Sequence, residues 1–239
     1  LKGVVPSAID FNGTTSKLEN TTASGFDVAA YTILAWVLAD GQGEGGFGCI
    51  FLADETGDAF NLSHQNAANT LRFQAEFSTT RGSWTFPATD GQWNAIALSY
   101  DRSSVLNDPV ARVNFASVTV SEAATPVGTA VSPATGYCVG NRSAQTTTWD
   151  GGIRHFQFFS RILSDAEKDA ALQYPGSVTN GMVLWLKMPD ASDLNDYSGN
   201  GLNGTGTALA ARGSDPPIYL ERPRIVVPRM AIVPAAMRN

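Results

Sequence analysis

Where apolar residues recur in this chain, they mostly do so at every second position, a period that suits strands and not helices. Thr70 to Phe77 is the clearest case. Leu71, Phe73, Ala75 and Phe77 share one face, and Arg72, Gln74 and Glu76 share the other. Such a segment predicts a half-buried antiparallel strand. Tyr31 to Leu38 and Gly48 to Ala53 are continuous apolar runs, which predicts central strands. Trp93 to Tyr100 sets Ile96, Leu98 and Tyr100 against the small Ala95, Ala97 and Ser99. Val110 to Val120 and Ile153 to Phe159 read as further strands, bounded by Asp, Asn, Pro and Gly.

One helix is expected. Ser164-Asp165-Ala166-Glu167 has the spacing of a capping box, and Ala166, Ala170, Ala171 and Leu172 give it an apolar side ending near Tyr174-Pro175-Gly176. Many short strands, regular turns and one small helix predict an all-β, two-sheet antiparallel jelly-roll sandwich.

Charge narrows the partners. The 239 residues carry a formal charge of −6, and charged residues make up only 16%, against an average of about 25%. Nucleic acid is not expected as a partner, because phosphate contacts need clustered Lys and Arg. A membrane is not expected either, since no apolar run approaches the roughly 20 residues of a span. Cys49 and Cys138 read as two buried thiols, with a long-range disulfide as the alternative. With only His64 and His155 beside them, no zinc-type spacing exists.

The last 28 residues differ from the rest. From Arg212 onward five arginines face Asp215 and Glu221, so this part carries +3 and the remainder −9. Prolines at 216, 217, 223, 228 and 234 forbid a helix there. The reading is a body over 1–211 and an extended Pro/Arg-rich arm over 212–239. Arg222, Arg224, Ile225, Val227, Arg229, Ile232 and Val233 are the expected assembly residues, ordering against a second copy or another subunit by strand addition.

Four segments together resemble the laminin-G-like branch of the concanavalin A-like lectin/glucanase superfamily. They are Ala8-Ile9-Asp10-Phe11-Asn12-Gly13 with Ser16 to Glu19; Tyr31 to Val37; Gly91 to Asp101; and Asp150 to Phe159 running on into Ser160 to Glu167. The resemblance implies a jelly roll serving adhesion or glycan binding. Gly181 to Lys187 with Asp196 to Thr205 resembles a stretch that opens the domain in many relatives but comes late here. About 30 residues cannot bury a core of their own, so residues 181–211 are expected to complete the sandwich in permuted order.

No catalysis is expected. Glucanases of this fold set acidic residues at alternate strand positions so that two carboxylates flank one glycosidic bond. Neither ExDxE nor ExDxxE occurs, and GxSxG, the P-loop and GxGxxG before a helix are missing too. For glycan binding the candidates are Trp84, Trp149 and Arg81, because both tryptophans sit among polar residues in expected loops, although the edge of the core is the commoner place for such rings; Trp36, Trp93 and Trp185 read as core. No cofactor is expected; calcium, which the resemblance allows, has Asp27, Asp90 and Asp150 as candidate ligands, with ordinary solvated loop acids as the alternative. By analogy with jelly rolls of tailed-phage virions, the expected function is a non-enzymatic virion-surface component, of head-decoration or fibre type, that assembles through its arm and binds glycans. The alternative is a carbohydrate-binding module of a secreted bacterial protein. Its partners would be itself or other surface subunits, on a virion surface or outside the cell.

Overall fold

A computed structural model describes residues 8–54, 59–134 and 136–217. Eight strands build the first sheet: β1 (Ala8–Asn12), β3 (Ala30–Ala39), β8 (Asn94–Asp101), β9 (Val110–Val113), β10 (Ala116–Val118), β13 (Asp150–Phe159), β14 (Met182–Leu186) and β16 (Ala210–Arg212). Eight more build the second: β2 (Lys17–Asn20), β4 (Cys49–Ala53), β5 (Phe60–His64), β6 (Thr70–Ala75), β7 (Gly82–Pro87), β11 (Ser121–Ala124), β12 (Tyr137–Val139) and β15 (Thr205–Thr207). All pairings between these strands are antiparallel. The expected two-sheet sandwich is therefore present, and so is its single helix, α1 (Asp165–Gln173).

The long apolar runs lie where continuous burial requires them. β3 runs between β8 and β13, and β4 between β5 and β12, so both edges of each are paired, and their side chains are buried on both faces. Between the sheets Tyr31 stacks on Phe60 at 4.6 Å, and Phe51 on Phe156 at 4.4 Å. The small face of β8 has a purpose. Ala95 and Ala97 lie with Leu34 and Trp36 under Leu163, Ala171 and Leu172, so helix α1 packs on the outside of the first sheet. Trp36 Nε1 donates to the Leu172 carbonyl at 2.9 Å. The capping box is formed: the Ser164 N–H donates to the Glu167 carboxylate at 2.8 Å, and the Glu167 N–H returns to Ser164 Oγ at 3.3 Å.

Three local expectations need correction. Val110 to Val120 is a hairpin, because Asn114 and Phe115 take φ of 52° and 68° and turn β9 into β10; consecutive positive φ values are what a tight hairpin turn demands. Ala166 is exposed, whereas Ala171 and Leu172 of the expected apolar side are buried, together with Lys168. Trp93 and Trp185 are only half-buried and lie on the outside of the first sheet.

Residues 181–211 contribute to both sheets. β14 pairs with β13, β15 with β2 and β16 with β1. Strand β13 thus carries two partners on one edge, β1 along residues 150–153 and β14 along 156–159. Between those stretches β13 bulges: its register against β3 shifts between Arg154 and Gln157. His155 sits in the bulge with φ 49°. The arm residues Arg222, Arg224, Ile225, Val227, Arg229, Ile232 and Val233 lie outside the described residues. Arg212, the first arginine of that region, closes β16 and bridges Asp10 and Asp40 at 2.6 and 2.5 Å. Cys49 and Cys138 are not joined in a disulfide and are buried with Leu52 on the outer side of the second sheet.

Candidate functional site

The fork in β13 opens a cavity of about 210 Å³ lined by Arg154, His155, Pro175, Trp185, Lys187 and Pro189. Its floor is the bulge. The inward side chains of β13 are Ile153, Phe156 and Phe158, so the step from 153 to 156 is one residue longer than a regular strand allows. The extra residue leaves His155 beside the cavity, where its N–H donates to the Lys187 carbonyl at 3.1 Å. Neither ring nitrogen of His155 has a hydrogen-bond partner, although the side chain is almost fully buried. Burial, with help from the nearby Arg154 and Lys187 charges, pushes the imidazole pKa down to about 3, so the ring is neutral near pH 7.

The wall is aromatic. Trp185 lies opposite Gln157 in the β13–β14 pairing and rests on Gly176, where a Cβ would come within 2.3 Å of its ring. Gly176 can take its φ of 84° only because it has no side chain. Trp185 Nε1 is buried and makes no hydrogen bond. Tyr197 stands beside it, ring centroids 5.7 Å apart, and is 39% exposed. Lys187 Nζ lies 3.5 Å from the Tyr197 centroid and 5.1 Å from that of Trp185, within cation–π range of both.

Asp196 holds this wall together. Its carboxylate accepts from the N–H groups of Trp185 (3.0 Å), Ser198 (2.9 Å) and Leu202 (3.0 Å), and the Tyr197 N–H donates back to the Trp185 carbonyl at 2.8 Å. Arg154, across the cavity, is buried and ion-paired to Asp215; burial pulls its pKa down to about 10.

The residues expected to bind glycan do something else. Trp84 is fully buried, 5.9 Å from Phe73 and 5.1 Å from Tyr100, and its Nε1 donates to Asp108 at 2.8 Å. Trp149 is fully buried beside His64 at 6.1 Å. A ring with no exposed face cannot stack on a sugar, so neither is a binding platform. Arg81 pairs with Glu76.

The proposed calcium ligands do not converge. Asp27 pairs with Arg102 beside the start of β3, whereas Asp150 and Asp90 lie beside its far end. Asp90 accepts from the Asn69 N–H at 2.8 Å and contacts His64 Nε2 at 2.9 Å. The carboxyl of Asp150 is raised by burial and by its neighbours Asp40 and Asp10, against the opposing charge of Arg212. Among the described residues no group of three His, Cys, Asp or Glu side chains is placed to hold a metal ion.

Sequence reasoning missed this cavity. The signal available was the phase break at Arg154-His155, two polar residues in succession inside an otherwise alternating strand.

Solved structures of low identity share the architecture. A Bacteroides ovatus protein to which carbohydrate binding has been ascribed superposes with a TM-score of 0.66 at 15% identity, over 90% of this chain and 62% of that one. The chain therefore spans less than two thirds of that protein's length. A heptameric SAP-like pentraxin from Limulus polyphemus superposes at 0.61 and 12% identity, over 89% of this chain and 97% of that one. Domains LG4-5 of the mouse laminin alpha1 chain superpose at 0.50 and 15% identity, over 66% and 46%. No curated protein matches the sequence. The family model for the concanavalin A-like lectin/glucanases superfamily matches residues 12–167, and this chain belongs to that superfamily.

Proposed function

We infer that the protein is a non-enzymatic carbohydrate-binding module that receives one sugar residue in the fork cavity. A single observation carries this reading: a half-buried Trp185, with an exposed Tyr197 beside it, lines a small cavity whose buried wall offers unused hydrogen-bonding groups. Sugars present apolar C–H faces to rings and hydroxyls to polar groups, so both halves of the site match them. At about 210 Å³ the cavity falls below the roughly 300–1,000 Å³ of pockets for drug-sized ligands, which suits one ring. The Bacteroides ovatus likeness fits this reading through the shared architecture alone.

Calorimetric titration with a panel of neutral and acidic monosaccharides tests it. Tyr197→Ala should weaken the best binder about tenfold, near the roughly 1.5 kcal/mol upper value for an aromatic contact. Affinity indifferent to Tyr197, or no binding by any sugar, overturns the reading.

A second reading, a virion-surface subunit assembled through residues 212–239, is favoured by the split of charge. The region from Arg212 carries +3 and the rest of the chain −9, so the arm of one copy is electrostatically matched to the body of another. Both readings place the protein on a surface or outside the cell, and they are compatible in one molecule.

A further inference from the structure

We propose that the sugar held in the fork cavity is acidic, a uronic acid whose carboxylate faces Lys187 while His155 and Trp185 donate to its oxygens; this rests on the sugar-binding reading above.

The first argument is charge. Two cations, Arg154 and Lys187, line the cavity. Arg154 is answered by Asp215. Lys187 pairs with no carboxylate among the described residues and lies over two aromatic rings instead. A cation beside a half-open cavity, without a counter-ion of its own, favours a ligand that brings one.

The second argument counts donors and acceptors. The Lys187 ammonium and Trp185 Nε1 only donate, and the neutral imidazole of His155 donates once and accepts once. Pro175 and Pro189, the remaining lining residues besides Arg154, bring no N–H. The side chains of the cavity thus hold an excess of donors and a single acceptor. At C6, where a neutral sugar and its uronate differ, a hydroxyl must itself donate and would compete for that one nitrogen. A carboxylate accepts only, on two oxygens, and matches this set.

The third argument is the bulge. A non-glycine residue at positive φ is uncommon in a strand, and one whose buried ring leaves both nitrogens unpartnered is rarer still. Such a group is accounted for when a ligand supplies the missing partner. The charged groups facing His155 are Arg154 on its own strand and Lys187 on the continuation of β14, both positive. A bound carboxylate would reverse the sign of that local field and make the imidazole easier to protonate.

The test pairs glucuronate, galacturonate and mannuronate with glucose, galactose and mannose, so that each pair differs only at C6. Acetate is the control for a bare anion. Affinity is measured by calorimetry, and the His155 imidazole is followed by NMR through a pH titration with and without ligand. One uronate should bind at least tenfold more tightly than its neutral partner and than acetate. Lys187→Met, with its thermal midpoint checked against wild type, should erase that preference, and the bound uronate should raise the pKa of His155. Equal affinity for a uronate and its neutral partner would overturn the acidic-sugar proposal while leaving sugar binding standing. Acetate binding as tightly as the uronates would mean an anion site alone and would overturn it also. No binding by any of the seven, with the His155 titration unchanged, would remove both readings together.

Discussion

Replacing His155 with asparagine should flatten the acid limb of the protein's stability curve. Asparagine is the conservative choice because it tolerates the left-handed backbone that the bulge imposes. In the folded protein the imidazole pKa is pushed down to about 3 from the ordinary 6.5. A depressed folded pKa means that the unfolded chain takes up this proton first, so stability falls as the pH falls. The contribution is complete above about pH 6.5 and is lost progressively down to about pH 3. At about pH 5 the gap from the unfolded pKa is roughly 1.5 units, and at about 1.36 kcal/mol each the loss is near 2 kcal/mol. Urea denaturation of both proteins at a series of pH values reads it directly. Carboxylates titrating over the same range are common to both proteins, so the difference between the two curves isolates His155. Between about pH 7.5 and pH 5 the wild type should lose about 2 kcal/mol more than His155→Asn. Parallel curves would show that the imidazole is hydrated or partnered in solution, and the donor count behind the acidic-sugar proposal would lose its support.

Trp84→Ala should cost about 3–5 kcal/mol, because a fully buried indole and its bond to Asp108 are lost. Trp93→Ala should cost clearly less, since that ring is half-buried on the outside of the first sheet; equal costs by chemical denaturation would contradict both placements. Gly140→Ala should destabilise by at least about 2 kcal/mol, because its Cβ would come within 1.9 Å of the Phe11 ring and its φ is already +75°. A thermal midpoint within a degree or two of wild type would refute that clash. Deleting residues 218–239, which spares the Asp215 partner of Arg154, should leave a cooperatively folding sandwich but abolish any self-association seen by light scattering; assembly at full affinity without them would end the case for the arm.

The fold was legible because burial on two sides writes itself into the chain. Tyr31 to Leu38 is apolar at nearly every position, and the strand it forms is covered on both faces. The same rule, misapplied to single residues, misled. Trp84 has polar neighbours because Ser83 and Thr85 alternate with it across β7, not because it lies in a loop. Trp93 has apolar neighbours and is half-exposed, because it stands beside Gly152 on the outer face; a Cβ on that glycine would approach its ring to 2.7 Å. Local composition reports the period of a strand, while the face belongs to the individual residue. The candidate site was less legible for a different reason. It depends on two strands from opposite ends of the sequence sharing one edge of β13, and no local pattern encodes that division. Only the break of phase at Arg154-His155 marks where it falls.

The pairing of β1 with β16 has a mechanical consequence. Ala8 lies opposite Arg212, so a load applied between these two residues meets the antiparallel pair at one end. The hydrogen bonds joining the strands run across them, and such a load opens them one after another, as a zip. Strands loaded from opposite ends share the force among all their bonds at once. Stretched between residues 8 and 212, the body should therefore yield at low force by peeling β16 from β1. Anchored instead at Ala30 and Asn94, which lie at opposite ends of the central β3–β8 pair, the two strands are sheared and their bonds must break together. Single-molecule traces with the two attachment geometries should differ in rupture force, and equal forces would mean that the outer pair bears load with the centre of the sheet.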